Sequence, residues 1–227
     1  MSMNEKPIIF SGEMVRAILE GRKTQTRRVV KFSAVDKTRL LENEHQLWKS
    51  VGQAKDGSYI FWDSLAMGER TAEYYNGGGY VCPKGKAGDR LWVRESFREL
   101  IDLGASTNSS SNYYEYKADD LPDYNPDVKW GSPIYMPREA SRITLEIVKI
   151  RVERLQDITP DDVLAEGIKK TEVDDYWLAP LAGVPDYPWG RADLAYAALW
   201  NELNKKRVYR WEDDPFVWVI EFKKVKR

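Results

Sequence analysis

The stretch MPREASRITLEIVKIRVERL, residues 136–155, decides the fold class. Ile143, Leu145 and Ile147 recur every second residue, the period of a strand with one buried face. From Val148 the period continues through Ile150 and Val152 on the opposite parity. A parity switch turns a strand's apolar set to the other face unless a residue is bulged out. The spacing therefore predicts a β-bulge or sharp bend at 147/148, as barrels use at corners.

Outward from it, GDRLWVRESF (88–97) reads as a turn and a strand, with Leu91 and Val93 alternating against Arg90, Trp92 and Arg94. PIIF (7–10) reads as a short buried strand, and FVWVIEF (216–222), apolar on nearly both faces, as a central one. Ser11 is placed to cap a helix with Glu13 in its first turn, Met14, Val15, Ile18 and Leu19 on one face, and Gly21 as its stop. Thr159, Pro160 and Asp162 form a capping box for a second helix that Gly167 ends. A third spans 191–204, with Leu194, Ala195, Ala198, Leu199 and Leu203 on its apolar face. The predicted architecture is α+β: one domain over 1–227, a small curved β-barrel with helices at its rim. Long insertions are expected at about 32–87 (with Gly77–Gly79), 100–135 and 168–215.

Composition bounds the function. Hydrophobic residues at 42% and charged residues at 31% fit a globular chain. No apolar run approaches the roughly 18 residues of a membrane span, and MSMNEKPIIF lacks a signal peptide's pattern, so a cytoplasmic monomer is expected. The one cysteine, Cys82, excludes an internal disulfide and a thiolate zinc site. The one histidine, His45, lies in polar ENEHQLW and reads as a surface residue, leaving Lys, Glu or Asp as any general base. Net charge is −1, so a nucleic-acid ligand needs a local positive surplus. One exists at Arg16, Arg22, Lys23, Arg27, Arg28 and Lys31, against Glu20 alone; the basic end KKVKR (223–227) reads as solvated.

GRKTQTRR (21–28) is therefore the candidate site for a nucleotide or nucleic-acid ligand. A lysine among arginines loses its proton more readily, so Lys23 can act as a base and Thr26 as nucleophile or water-orienter. In a regular strand the two point to opposite faces, so the segment must turn after Gly21. Glu166, in the last turn of its helix, either faces solvent or is held by a cation. Trp92, between Arg90 and Arg94 and followed by Glu95, either stacks a base beside held phosphate or sits on an outer face with ordinary charge pairing.

ILEGRKTQTRR (18–28), GDRLWVRE (88–95), the strand from Ile143 running into DDVLAEGI (161–168) and WVIEFKKV (218–225) resemble the ASCH domain family, whose fold is similar to the PUA barrel. With MPREASRITL (136–145) the arrangement resembles ASCH proteins encoded in phages and prophages. The resemblance implies action on RNA or nucleotides. One branch removes the acetyl group from N4-acetylcytidine with a Lys and a Thr of a GRKTxTxR motif and a Glu after the long strand. By position these fall on Lys23, Thr26 and Glu166, with Lys23 as the cation Glu166 needs. Arg22, Arg27, Arg28 and Arg94 would hold sugar or phosphate and Trp92 would stack the base, with no metal and no cofactor. This chain is about twice as long as those amidohydrolases. Other members cleave single-stranded RNA, and many have no known activity. Three readings follow: amidohydrolase, metal-independent ribonuclease with Lys23 and the arginines on a phosphorane-like transition state, and RNA or modified-base binding module.

Overall fold

The parity switch at 147/148 is a bulge. In the computed structural model, Glu221 lies opposite Lys149 and Phe222 opposite Ile147. Val148 is thus skipped, and it is 51% exposed while Ile147 on its neighbouring position is 1% exposed. The extra residue keeps Leu145 and Ile147 in the core and bends the strand beyond them. The structure describes residues 4–31, 48–53, 59–63, 81–100, 113–119, 129–171, 176–179, 188–207 and 209–225, with the side chains of 48–53, 59–63 and 100 left aside. His45 and Gly77–Gly79 lie outside the described residues.

In chain order the elements are β1 (Glu5–Ile9), α1 (Gly12–Leu19), β2 (Gln25–Val29), β3 (Trp48–Gln53), β4 (Tyr59–Asp63), β5 (Arg90–Arg94), β6 (Phe97–Leu100) and β7 (Tyr113–Tyr116). They continue with β8 (Thr144–Arg154), α2 (Pro160–Ala165), β9 (Lys169–Lys170), β10 (Trp177–Leu178), α3 (Ala192–Asn204) and β11 (Phe216–Lys224). Five strands form one mixed sheet in the order β1-β5-β8-β11-β2. β1 and β5 are parallel, and the other neighbours are antiparallel. β11 is interior, as its two apolar faces require, and Val217, Val219 and Ile220 are fully sealed. The remaining pairs are separate two-stranded ribbons, two of them hairpins that fall in or at the edge of the expected insertions.

The fold is α+β. The closed barrel of the expectation is not found, for among the described residues β1 and β2 are sheet edges with no backbone pairing to each other. The sheet nevertheless curls. In a flat five-stranded sheet the edges stand about 19 Å apart. Here Arg28 of β2 donates from Nη2 to the Ile9 carbonyl of β1 at 3.1 Å. Phe10, just past β1, packs its ring 6.1 Å from Phe222 of β11. A side chain, not a ladder, spans the gap.

Helix caps follow the sequence. Ser11 accepts from the Met14 N–H, and Thr159 with Asp162 completes a capping box. The faces need correcting. On α3 the buried set is Ala192, Ala195, Tyr196, Leu199 and Trp200, while Leu194 and Leu203 are 42% and 40% exposed. The larger aromatic surfaces win the core, turning the helix from its all-aliphatic stripe. On α1 Ala17 replaces Leu19 inside. The 168–215 segment is thus not peripheral, since α3 completes the core. No described helix is long and apolar enough to cross a membrane.

Both helix stops are left-handed: Gly21 at φ +78 and Gly167 at φ +96. A Cβ at Gly21 meets nothing within 4 Å, whereas one at Gly167 lies 3.1 Å from the Ala17 Cβ and 3.2 Å from the Lys23 Cβ. Gly21→Ala should cost about 1 kcal/mol, the backbone term alone. Gly167→Ala should cost at least about 2 kcal/mol, because crowding adds to it. Urea denaturation of the two variants compares them directly; equal losses would remove the crowding argument.

Candidate functional site

Lys23 is delivered by the way α1 stops. The N–H groups of Arg22 and Lys23 both donate to the Ala17 carbonyl, at 2.9 and 3.0 Å, folding the chain back over Gly21. Thr24 then donates to the Ala165 carbonyl at 2.8 Å and accepts from the Phe222 N–H at 2.8 Å. The chain does turn after Gly21, as the Lys23–Thr26 hypothesis required of it, but Lys23 and Thr26 take different partners. It points the Lys23 ammonium at the end of α2, where Nζ donates to the Glu166 carbonyl at 2.8 Å and to its Oε2 at 2.7 Å. The side chains are 0% and 3% exposed. A helix C-terminus disfavours a carboxylate and favours a cation, so Lys23 answers both charges at once. The solvent-facing reading of Glu166 is thereby overturned.

Glu166 has a second cation. Its Oε1 meets Arg27 Nη1 at 3.3 Å, and Arg27 also pairs with Glu153 and with Asp162 at 3.1 Å. Arg27 lies under the ring of Tyr196, with Cζ 5.7 Å from its centroid. The expected ligand-holding role of Arg27 is not available: its guanidinium is committed to three carboxylates. Glu153 and Asp162 are further tied by Arg151. Among the described residues no group of three or more His, Cys, Asp or Glu could hold a metal ion. The three acids here converge on the Arg27 guanidinium, which takes a metal's place.

Charge states follow from this packing. Burial pushes the Lys23 amine down, Glu166 opposes it, and Arg28 and Arg27 add to the lowering. The cause assigned from sequence, crowding by arginines, is thus secondary to desolvation. Burial also works against the Arg27 charge, but Glu166, Tyr196, Glu153 and Asp162 hold it above the ordinary range. Burial and Glu166 push the Tyr196 phenol well up. Asp162, despite the opposing effect of burial, is held at about 2 by Arg27, the Thr159 N–H, Gln25 and Arg151.

Thr26 is 1% exposed, and its Oγ1 accepts from Arg28 Nη1 at 2.7 Å. Lys23 and Arg28 lie 5.7 and 5.4 Å from the centroid of the same Phe10 ring. Lys23 and Arg28 thus share the Phe10 ring, and Thr26 bonds to Arg28; no bond among the described residues joins Lys23 to Thr26. Arg22 stays near the surface, bonded to Glu20 and to the Gly167 carbonyl. Trp92 and Arg94 sit apart, on the outer face of β5. Trp92 is 8% exposed and has Arg94 4.4 Å and Arg138 5.8 Å from its centroid, so cations already occupy its ring. No hydrogen bond, ion pair or ring contact among the described residues joins Trp92 or Arg94 to Lys23, Thr26 or Glu166. Glu95 belongs to a different cluster, in which Arg142 grips it through two bonds of 3.0 Å and stacks on Tyr116.

Sequence reasoning missed Phe10, Glu153, Asp162 and Tyr196. Glu153 alternates with Arg151 on the strand after the bulge, the one local sign of the charge pairing there. No family model matches this chain, and no curated protein or solved structure matches it. The site is therefore argued from its own residues.

Glu166→Gln leaves Lys23 and Arg27 short of one charge in a sealed setting, and should destabilise by about 3 kcal/mol in urea. A loss under about 1 kcal/mol would show that the pair is not dry. Asp162, whose folded pKa of about 2 lies below the ordinary aspartate value of 3.8, stabilises above that ordinary value and loses its contribution as pH falls toward 2. Asp162→Asn should flatten the acid limb of stability between those pH values, and an unchanged limb would contradict the Arg27 contact.

Proposed function

We propose that this chain is a metal-independent amidohydrolase acting on N4-acetylcytidine or a related acylated base, in the manner of the ASCH proteins its motifs resemble, on an open variant of the PUA-like barrel. The observation that carries the reading is the sealed pair of Lys23 with Glu166, residues 143 positions apart. Thr26 is buried as well, and a desolvated lysine and a buried hydroxyl are the parts of a general base and a nucleophile.

In the proposed reaction neutral Lys23 takes the proton of the Thr26 hydroxyl as Oγ1 bonds to the acetyl carbonyl carbon. Arg28, already donating to that oxygen, stabilises negative charge developing beside it. The carbon–N4 bond then breaks, and the Lys23 ammonium returns the proton to N4, releasing cytidine. Water hydrolyses the acetyl-threonine ester to acetate and free Thr26. Glu166 holds the amine in place throughout, and Arg27 positions Glu166. Because Lys23 is fully covered, substrate entry requires a displacement around Phe10. That sealing favours a second reading, a modified-base binding module without turnover.

Wild type should release acetate from N4-acetylcytidine in the presence of EDTA. Lys23→Ala and Thr26→Val, checked for folding by circular dichroism, should lose about 10²-fold or more. The rate of the wild type should rise with pH and level off below the ordinary lysine value of 10.5. The sign follows from the depressed Lys23 amine, which must be neutral to act. Arg28→Gln should move that limb to higher pH, since Arg28 helps to depress the amine. Absence of acetate from every form, with retained base binding, sinks hydrolysis and leaves the binding module.

A further inference from the structure

Several buried or half-buried cations, Lys23, Arg27, Arg142 and Arg151, each meet one or more carboxylates. Arg28, Lys84 and Arg94 are among the described cations that meet none. All three are half-buried, where an unanswered charge is costly.

All three border the same strand, β1. Arg28 reaches the Ile9 carbonyl, and Lys84 donates to the Pro7 carbonyl at 2.7 Å. Those acceptors are two residues apart on β1, about 6.6 Å along a strand. Arg94 is the register partner of Ile9 on β5. Lys6, on β1 itself, donates from Nζ to the Pro83 carbonyl at 3.1 Å. The crowding is felt at Lys84, whose amine is pushed down first by burial and then by Arg28, with Lys6 and Arg94 adding to it. The nearby acid Glu5 is held by Arg138.

Donors remain free. Arg94 uses one N–H on the Ile134 carbonyl, and its Nε is buried without a partner. Lys84 spends one of three donors on a neutral carbonyl. A tetrahedral oxyanion takes several donors converging from different elements, and charge-assisted bonds to it are about twice as strong as those to a carbonyl. A phosphate is the ligand that suits donors delivered by β2, the 82–86 loop and β5 together.

We propose that Arg28, Lys84 and Arg94 form a phosphate site, and that the substrate is a nucleotide or an RNA residue in preference to a free nucleoside. This rests on the amidohydrolase reading for the base expected beside Thr26. The link between the two is Arg28, which donates to both the Thr26 hydroxyl and the edge of β1. A phosphate held there lies one guanidinium away from the proposed nucleophile.

Calorimetric titration with cytidine, cytidine 5′-monophosphate, cytidine 3′-monophosphate and inorganic phosphate tests the site without turnover. One monophosphate should bind about tenfold or more tighter than cytidine, the worth of one or two charge-assisted bonds. Lys84→Met and Arg94→Gln, each confirmed folded by circular dichroism, should each reduce that ratio and the salt dependence of binding. Equal binding of cytidine and both monophosphates, or a ratio unmoved by both variants, overturns the site. Inorganic phosphate binding as tightly as the monophosphates overturns the nucleotide half. Acetate release from free N4-acetylcytidine, run in parallel, separates the two proposals. Turnover without a monophosphate preference removes only the phosphate site, and a preference without turnover removes only hydrolysis.

Discussion

A lysine amine shut away from water has to be answered by charge at bonding distance, and much of this molecule is arranged to do that for Lys23. The chain turns back over Gly21, α2 ends with its carbonyls aimed at the amine, and Gly167 lacks the Cβ that would hold the two apart. A carboxylate at a helix C-terminus faces an unfavourable dipole. Glu166 meets Lys23 and Arg27 there, and Arg27 in turn is kept by Glu153 and Asp162. Removing any one member leaves another uncompensated in a dry setting, which makes the set an all-or-none arrangement.

The curl of the sheet follows from the same neighbourhood. β1 and β2 would be open edges, and an open edge invites pairing with another chain. Pro7 has no N–H to offer, and the Pro7 and Ile9 carbonyls are taken by Lys84 and Arg28. Phe10 sits between the edges, in contact with Phe222 and under both Lys23 and Arg28. The gap in the sheet is thus where the polar groups of the site gather.

Much of this was legible in the residues. The bulge at Val148 showed as a parity switch, and the caps at Ser11 and Thr159 and the stops at Gly21 and Gly167 showed as local chemistry. Such features depend on neighbours a few positions away. The face of α3 did not show, because Tyr196 and Trp200 compete with aliphatic residues for the core and only tertiary packing decides the winner. The fate of the basic segment was half visible. Its residues stood out together as a local basic cluster, but nothing in their spacing says that Arg27 is spent on three acids while Arg28 meets none among the described residues. Trp92 looked like a stacking platform because its alternation was correct; the arginines over its ring come from its own strand and from a turn 46 positions on. Pairings between distant segments leave no periodic trace.

The pairing of β2 with β11 has a kinetic meaning. Gln25 lies opposite Glu221, and Phe222 bonds the Thr24 carbonyl, so the first third of the chain finds its partner only in the last strand. Contacts of such long separation form late, since loop closure must precede any gain. Until β11 is present, the segment carrying Lys23, Thr26, Arg27 and Arg28 is basic and without its sheet partner, and a chain truncated before β11 would carry every one of those four residues without the strand that holds β2 in place.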